Sequence, residues 1–304
     1  MSLHLGKARP RQFLQQVTDP QRTVSQERAA PLLASEECFV LRKLKSFILI
    51  RLIVVVLIFL TGCSTTVSQN IHLKYGNPSR AGGDRNNYLI ERPQYALSYN
   101  CQAGIANWVS WELDRSWLGT VDRSNDFRPD LDLPENCYAV RPNDYRGSGY
   151  DRGHLIPSGD RTDSELDNSS TFLMTNIVPQ SPSNNREVWR ELEEYSRQLA
   201  FKGKKLYIVA GSDGIARKIA DSQVIVPEYV WKVILIIEPN SETMDTIAVL
   251  MPNSEQVRNT DWQDYIVSVD LIEQQTGYNF FGKVPRRVQR EIEQAYYPQL
   301  SIDN

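Results

Sequence analysis

The chain has 304 residues, and its 41% hydrophobic and 23% charged residues are ordinary for a globular protein with a sizeable core. A formal net charge of −3 argues against nucleic-acid binding through bulk positive charge, so any site for an anion must be local. The sequence contains no internal repeat, heptad pattern or long low-complexity linker. These properties favour a single large domain behind an atypical N-terminal region.

The N-terminal region has two parts. Residues 1–40 are polar without a sustained apolar period, and we expect an extension that is either non-native or disordered. Residues 41–62 run from a basic start into the apolar stretch Leu52–Leu60, which is much shorter than the ~20 residues that span a bilayer. This pattern is typical of a secretory signal. Because a signal normally starts a chain, we expect translation to begin near Val40 or Leu41, at a non-AUG codon.

The signal ends in LTGC, residues 60–63, which resembles the lipobox of bacterial lipoproteins. In such proteins the signal is cut before the cysteine, here Cys63, and that cysteine is lipidated. The alternative is a short membrane anchor with an incidental cysteine. Ser64 follows rather than an aspartate, which by analogy favours the outer membrane. We expect an exported, lipid-anchored protein of the bacterial cell envelope, or a periplasmic or extracellular one, with residues 63–90 as a Ser/Asn/Gly-rich tether.

Residues 91–300 are predicted to form one α+β domain. YALSYNC (95–101) and NWVSWEL (107–113) alternate apolar and polar residues and predict paired strands. CYAVR (137–141) predicts another strand before a Gly-rich loop that carries DRGH, and TFLMTNIVP (171–179) predicts a buried strand. The later predicted elements are a helix over 184–203 capped by Ser183, strands over 205–212, 224–238 and 246–252, and helices over 269–277 and 284–297.

Two cysteines remain once Cys38 is assigned to the leader and Cys63 to the lipid. In an oxidising compartment Cys101 and Cys137 are a candidate disulfide. Two buried free thiols are the alternative, because spacing alone does not establish the geometry of a bridge.

The DRGH segment, residues 151–154, offers what an anionic substrate requires. His154 can accept and donate a proton near neutral pH, and Arg152 shares its face if the segment is extended. Arg146, Arg152 and Arg161 supply planar donors suited to phosphate. The alternative is a surface turn with a solvated histidine. His72 lies in the predicted tether, and we assign it no role.

A second cluster lies about thirty residues downstream, in NNREVWRELEEYSR. Asn185, Glu193 and Arg197 are spaced so that they share one broad side of a helix. Amide and carboxylate oxygens select Mg²⁺, Mn²⁺ or Ca²⁺, and so few histidines and cysteines make a zinc site improbable. The alternative is an amphipathic surface helix with a Glu193–Arg197 ion pair, which leaves the double asparagine unexplained.

DRGHLIPSGDR followed by TFLMTNIVPQSPSNNREVWRELEEYSR resembles the sugar-non-specific DNA/RNA endonucleases of the ββα-metal superfamily, over roughly residues 85–300. FRPD (127–130) and GSGYDRGH (147–154) are also similar to the secreted nuclease A-like branch. The resemblance implies an α+β fold of the ββα-metal type, with a central antiparallel sheet flanked by helices. It also implies hydrolysis of DNA and RNA to products with 5′-phosphates.

The resemblance also implies roles for individual residues. His154 matches the general base that deprotonates water, Asn185 the direct ligand of the metal, and Glu193 the carboxylate that holds a metal-bound water. The implied cofactor is Mg²⁺, for which Mn²⁺ can substitute. Arg123, Arg152 and Arg197 match arginines that act on the scissile phosphate. The arginines expected to line the substrate groove are Arg123, Arg146, Arg152, Arg161 and Arg197.

The expected partners follow from this chemistry. DNA and RNA are expected without sequence specificity, because contacts to phosphate carry no sequence information. The membrane is expected through the lipid on Cys63, and relatives suggest a dedicated protein inhibitor; the oligomeric state is left open. Two alternative functions remain: a lipoprotein with the nuclease fold that binds polyanions without turnover, and a phosphodiesterase for small diesters.

Overall fold

The computed structural model describes residues 70–238 and 243–295. The predicted extension (1–40), the predicted signal (41–62) and the proposed lipidation site Cys63 lie outside the described residues. Within the described ranges, no helix is both long enough and apolar enough to cross a membrane.

An eight-stranded antiparallel sheet forms the centre of the domain. Its strands, in their order across the sheet, are β1 (Gly83–Asp84), β2 (Asn87–Glu91), β3 (Ala96–Asn100), β4 (Ile105–Leu113), β7 (Lys205–Asp213), β10 (Tyr229–Ile237), β11 (Met244–Pro252) and β12 (Ile266–Val267). Two smaller sheets pair β5 (Asp151–His154) with β6 (Ile177–Gln180) and β8 (Arg217–Ile219) with β9 (Val224–Val226). The described α-helices are α1 (Glu165–Ser170), α2 (Trp189–Phe201), α3 (Val269–Thr276) and α4 (Arg286–Gln294).

Both faces of the central sheet are covered. Trp111 and Ile234 lie in one apolar layer, and Trp108 and Val233 lie in the other, because successive side chains of a strand point to opposite faces. The first layer also contains residues of β6 and α2, and the second contains residues of α3 and α4. Two-sided burial explains why the central strands read as nearly continuous apolar runs. The predicted α+β fold, with an antiparallel sheet flanked by helices, is confirmed.

Residues 70–90 belong to the folded domain, so the prediction of a tether that extends to residue 90 was wrong. Strands β1 and β2 extend one edge of the central sheet. His72 is buried; its Nδ1 accepts a hydrogen bond from the backbone N–H of Glu112 (3.0 Å), and its Nε2 pairs with the carbonyl of Pro93 (2.8 Å). The prediction rested on the polar composition of this segment. Polar groups such as the imidazole of His72 are, however, hydrogen-bonded within the protein and are not left in solvent.

Four local predictions also need correction. Residues 137–141 are an irregular segment, and Cys137 is joined to Cys101 by a disulfide with Cα atoms 5.1 Å apart. DRGH is itself strand β5, where a loop was expected. In the segment 171–179, only residues from Ile177 onward form a strand. The helix predicted from residue 184 begins with a π-helical turn (Asn184–Val188), and Ser183 does not cap it, because its hydroxyl donates to Glu255 (2.6 Å).

Candidate active site

Two strands and a helix bring the predicted residues together. Strand β5 ends at His154, β6 lies antiparallel to it, and the π-helical turn then leads into α2. Gly153 lies close against Gln180, since an added Cβ would lie 2.6 Å from Cβ of that fully buried residue. His154 on β5, Asn185 in the π-helical turn and Glu193 on α2 therefore line one cleft.

His154 is held by two aromatic rings and has an unpaired ring nitrogen. Its ring centroid lies 5.3 Å from that of Phe127 and 4.9 Å from that of Phe172, the latter edge-on. The imidazole is buried, and its Nε2 has no hydrogen-bond partner among the described residues. A buried polar atom without a partner carries a free-energy cost, so such an atom is a candidate for a functional role.

Burial, together with the nearby charges of Arg123 and Arg152, lowers the pKa of His154 to about 3. The imidazole is therefore neutral at physiological pH and able to accept a proton. An anionic phosphate between the two guanidinium groups would offset their charge and raise this pKa, which would make the histidine a stronger base.

The two neighbouring arginines rest on the same phenylalanines. The guanidinium carbon of Arg152 lies 4.2 Å from the centroid of the Phe127 ring, and that of Arg123 lies 4.8 Å from that of Phe172. Nη1 of Arg123 also donates to the hydroxyl of Ser158 (2.7 Å). Sequence reasoning missed both phenylalanines, although Phe127 opens the FRPD motif.

Asn185 is oriented by a carboxylate that sequence reasoning also missed. Its Nδ2 donates to Oδ2 of Asp151 (2.9 Å), and Arg186 donates to both oxygens of the same carboxylate (2.7 and 2.6 Å). Burial raises the pKa of Asp151, but the hydrogen bonds from Arg186 and Asn185 outweigh this and hold it below its usual range. An ionised carboxylate only accepts hydrogen bonds, so the amide nitrogen must face it, and Oδ1 of Asn185 is left for a cation. Asp151 is the first residue of the DRGH motif, so the motif itself could have identified this partner of Asn185.

Glu193 completes a set of hard oxygen donors. Burial raises its pKa to about 7, against the opposing charges of Lys232 and Arg197. Lys232 is itself buried, with its ammonium 4.1 Å from the centroid of the Trp189 ring. A carboxylate and an amide oxygen at one cleft fit Mg²⁺ or Mn²⁺, and the charge of such a cation would favour ionised Glu193.

Two adjoining clefts form the predicted groove. The first cleft, of about 360 Å³, is lined by eight residues: Arg123, Arg152, His154, Pro157, Asn185, Arg186, Arg190 and Glu193. The second cleft, of about 480 Å³, shares Arg123, Arg152 and Asn185 with the first and adds Arg146. A larger cavity, of about 840 Å³, lies elsewhere and contains none of the predicted site residues. Because the two clefts meet at shared cationic residues, they suit an extended anion.

Two predicted arginines are placed differently from expectation. Arg161 is fully buried, donates to the carbonyls of Gln94 and Glu112, and stacks 4.0 Å from the Trp117 ring. Its assignment to substrate binding was wrong, because no part of its guanidinium is accessible to a ligand. Arg197 pairs with Asp160 (3.0 Å) and lines neither cleft.

Comparison with known proteins identifies the family of this chain. The DNA/RNA non-specific endonuclease family matches residues 73–287. A nuclease from Nostoc sp. is 44% identical over 77% of this chain and 93% of its own length. The mitochondrial nuclease EXOG of Xenopus laevis is 32% identical over 70% of this chain and 62% of that protein.

A solved structure of EndoG bound to EndoGI, described as showing the mechanism of EndoG inhibition, superposes with a TM-score of 0.63. It is 26% identical and covers 71% of this chain and 92% of that chain. The fold and the match across most of the sequence agree. The chain therefore belongs to the DNA/RNA non-specific endonuclease family and is an endonuclease that hydrolyses phosphodiester bonds.

Proposed function

We propose that the chain cuts DNA and RNA with a bound divalent cation, Mg²⁺ or in its place Mn²⁺, and leaves 5′-phosphates. One observation carries this proposal: His154, whose buried imidazole has an unpaired nitrogen, lines the same cleft as Asn185 and Glu193. A base, a cation site and a phosphate clamp within one cleft are what hydrolysis of a phosphodiester requires.

Each side chain has a defined task. The imidazole of His154, being neutral, accepts a proton from the water that attacks phosphorus in line. Arg123 and Arg152 donate to the non-bridging oxygens and stabilise the charge that develops there. Asn185 would hold the cation directly and Glu193 would hold one of its bound waters; when bound, the cation would supply positive charge that stabilises the negative charge developing in the reaction.

In this proposal Arg197 does not contact the phosphate and acts through Glu193. It pairs with the buried Asp160, and its charge lowers the pKa of Glu193. We assign it the task of keeping Glu193 ionised, in place of the direct phosphate contact that the sequence suggested. Asp160 in turn accepts a hydrogen bond from the indole of Trp111 (3.0 Å), which fixes this pair to the central sheet.

The geometry favours a polymer over the alternative substrates. Two clefts that share three residues extend beyond one small diester. Binding without turnover leaves the unpaired imidazole nitrogen unexplained, since a site that only binds polyanions needs no base. Contacts to phosphate do not read sequence, so cleavage of both DNA and RNA is expected.

A cleavage assay with the purified chain tests the proposal. Plasmid DNA and structured RNA should both be cut in Mg²⁺ or Mn²⁺ and should stay intact in excess chelator. The new 5′ ends should accept a kinase label only after phosphatase treatment. Binding without cleavage would favour the polyanion-binding alternative. Hydrolysis of small diesters alone would favour the phosphodiesterase alternative.

We further propose that the protein is exported and anchored through lipid on Cys63. The lipobox-like LTGC supports this, and so does the Cys101–Cys137 disulfide, because such bridges persist in oxidising compartments. Labelled palmitate should be incorporated by the parent chain and by Cys38→Ser but not by Cys63→Ser. Equal labelling of Cys63→Ser would contradict the anchor. A dedicated protein inhibitor stays a prediction, supported by the complex of EndoG with EndoGI.

A further inference from the structure

The second cleft contains an aromatic ring with no task in the reaction proposed above. Tyr150, which directly precedes DRGH, is half-buried and lines this cleft together with Arg146 and Arg152. Its neighbours in the cleft wall include Asn125 and Asn143. The cleft thus combines an aromatic surface with cations and neutral amides.

The Tyr150 ring is held in place from one side. The guanidinium carbon of Arg217, on β8, lies 4.8 Å from the ring centroid. Arg217 also donates to the carbonyl of Ser148, and the hydroxyl of Ser148 accepts from the N–H of Tyr150 (3.1 Å). Within the described ranges, Arg217 is the only side chain stacked on this ring. A ring supported in this way is preorganised to receive a second planar group.

The loop that carries the ring depends on glycine. Gly147 and Gly149 have φ values of +71° and +84°, in the left-handed region that glycine adopts without strain. An added Cβ at either position would meet no atom within 4 Å, so the glycines serve the backbone turn and not close packing. The turn places Tyr150 at the cleft, and strand β5, which carries Arg152, begins at the next residue.

The charges of the second cleft suit a nucleotide. The carboxylate that lines it, Asp151, is neutralised by the bidentate contact with Arg186. Arg146 is an exposed part of the wall, and Arg152 lines both this cleft and the first cleft, which contains His154. A phosphate at the shared arginines would therefore place one of its two nucleosides beside Tyr150.

We propose that the second cleft is a nucleobase subsite, in which the base next to the scissile phosphate stacks on Tyr150. The inference rests on the proposed function, because it assumes that the scissile phosphate lies at the shared arginines. Base–aromatic stacking is tolerant of sequence, since every base has a π-face, so the subsite adds affinity without adding a sequence preference.

Substrates with a single cleavable bond test the subsite. Short oligonucleotides would carry one phosphodiester among uncharged methylphosphonate linkages, with the base 5′ or 3′ of that bond present or replaced by an abasic residue. For the wild type, removal of one of the two bases should lower kcat/KM by about tenfold. Tyr150→Ala should lower kcat/KM on the intact substrate by a similar factor and be insensitive to the same base removal.

Matched variants separate stacking from other effects. Tyr150→Phe should behave as the wild type, because stacking does not need the hydroxyl. Lys218→Ala, next to Arg217 on the same strand and exposed, should also behave as the wild type. If Tyr150→Ala does not fold, as judged by circular dichroism and thermal melting, Tyr150→Leu replaces it as an apolar, non-aromatic variant.

Three results would overturn the subsite: equal kcat/KM of the wild type on intact and both abasic substrates, unchanged sensitivity in Tyr150→Ala, or loss of sensitivity in Tyr150→Phe. Failure of the proposed function is a different result, namely no cleavage of any substrate by the wild type. In that case fluorescence anisotropy with the same oligonucleotides and variants still measures the contribution of the base to binding.

Discussion

His72 and His154 are both buried histidines, and they differ in how their ring nitrogens are bonded. Both nitrogens of His72 have partners, the N–H of Glu112 and the carbonyl of Pro93. Nε2 of His154 has none among the described residues. Burial lowers both pKa values, to about 4 and about 3, so burial and pKa do not separate the two residues. The unpaired nitrogen does.

Arg161 and Arg152 repeat this contrast. The guanidinium of Arg161 is enclosed and bonded to backbone carbonyls, whereas that of Arg152 lies on Phe127 and lines both clefts. In each pair, the residue with satisfied polar groups contributes to stability, and the residue with unused donors or acceptors is available to a substrate. The residue type alone does not decide between these roles.

The largest effect is expected for His154→Ala. Loss of the base should lower single-turnover cleavage about a thousandfold, within the usual range for general-base catalysis. Binding of an oligonucleotide should change little, whereas the thermal midpoint should fall, because the buried imidazole packs against Phe127 and Phe172 and its removal leaves a cavity. Cleavage within tenfold of the wild type would contradict the assignment of the base.

His72→Ala should lower stability and leave the cleavage activity of the folded protein unchanged. Its removal leaves the buried N–H of Glu112 without an acceptor and creates a cavity, which together cost about 3 kcal/mol in the free energy of unfolding. The folded fraction should cleave DNA at the wild-type rate. Urea denaturation with an activity assay at low denaturant measures both, and a stable but inactive variant would refute this separation.

The pKa of His72 also predicts how stability depends on pH. Because its folded pKa of about 4 lies below its ordinary value of 6.5, the unfolded chain binds more protons between these values. The stability contributed by neutral His72 is complete above about pH 6.5 and is lost as the pH falls towards 4. Denaturation midpoints from pH 4 to 8 should show a shallower acid slope for His72→Leu than for the wild type. Identical slopes would contradict the lowered pKa.

An intermediate effect is expected for Asp151→Ala. Without this carboxylate the amide of Asn185 is free to rotate, and partners that orient a metal ligand typically contribute 10–100-fold in affinity or activity. Cleavage as a function of Mg²⁺ concentration should show weaker apparent affinity for the cation. Glu194→Gln, which removes an exposed carboxylate on α2 that pairs with Arg190, is the control. A matching loss in the control would point to general electrostatics.

The sequence predicted which residues meet in the cleft better than it predicted their surroundings. His154 and Asn185 lie in short contiguous motifs that resemble those of the endonuclease family, and both line the first cleft. Arg161 was misassigned because its carbonyl partners, Gln94 and Glu112, are 67 and 49 residues away in the chain. Phe127 and Phe172 were missed for the same reason, since their contacts with His154 exist only once the chain is folded.

The secondary structure shows a similar division. The long strands β7, β10 and β11 were predictable because two-sided burial leaves a continuous apolar run. The strand predicted at residues 137–141 did not form, and the tether predicted up to residue 90 folds onto the sheet. In the first place Cys137 is joined by a disulfide to Cys101, 36 residues away. In the second place β2 pairs with the neighbouring strand β3, a hairpin that the polar composition of the segment concealed.

The smallest effect is expected for Arg152→Gln, and it compares the two arginines directly. Removal of one phosphate contact should weaken DNA binding by about tenfold and reduce the slope of log affinity against log salt by about one. Arg161→Met should leave that slope unchanged and lower the thermal midpoint, because its guanidinium is bonded only inside the protein. Fluorescence anisotropy in His154→Ala, from 50 to 300 mM salt, avoids cleavage during the measurement. If Arg161→Met instead reduces the slope, an arginine bonded inside the fold still attracts the polyanion, and the distinction between satisfied and available cations does not hold.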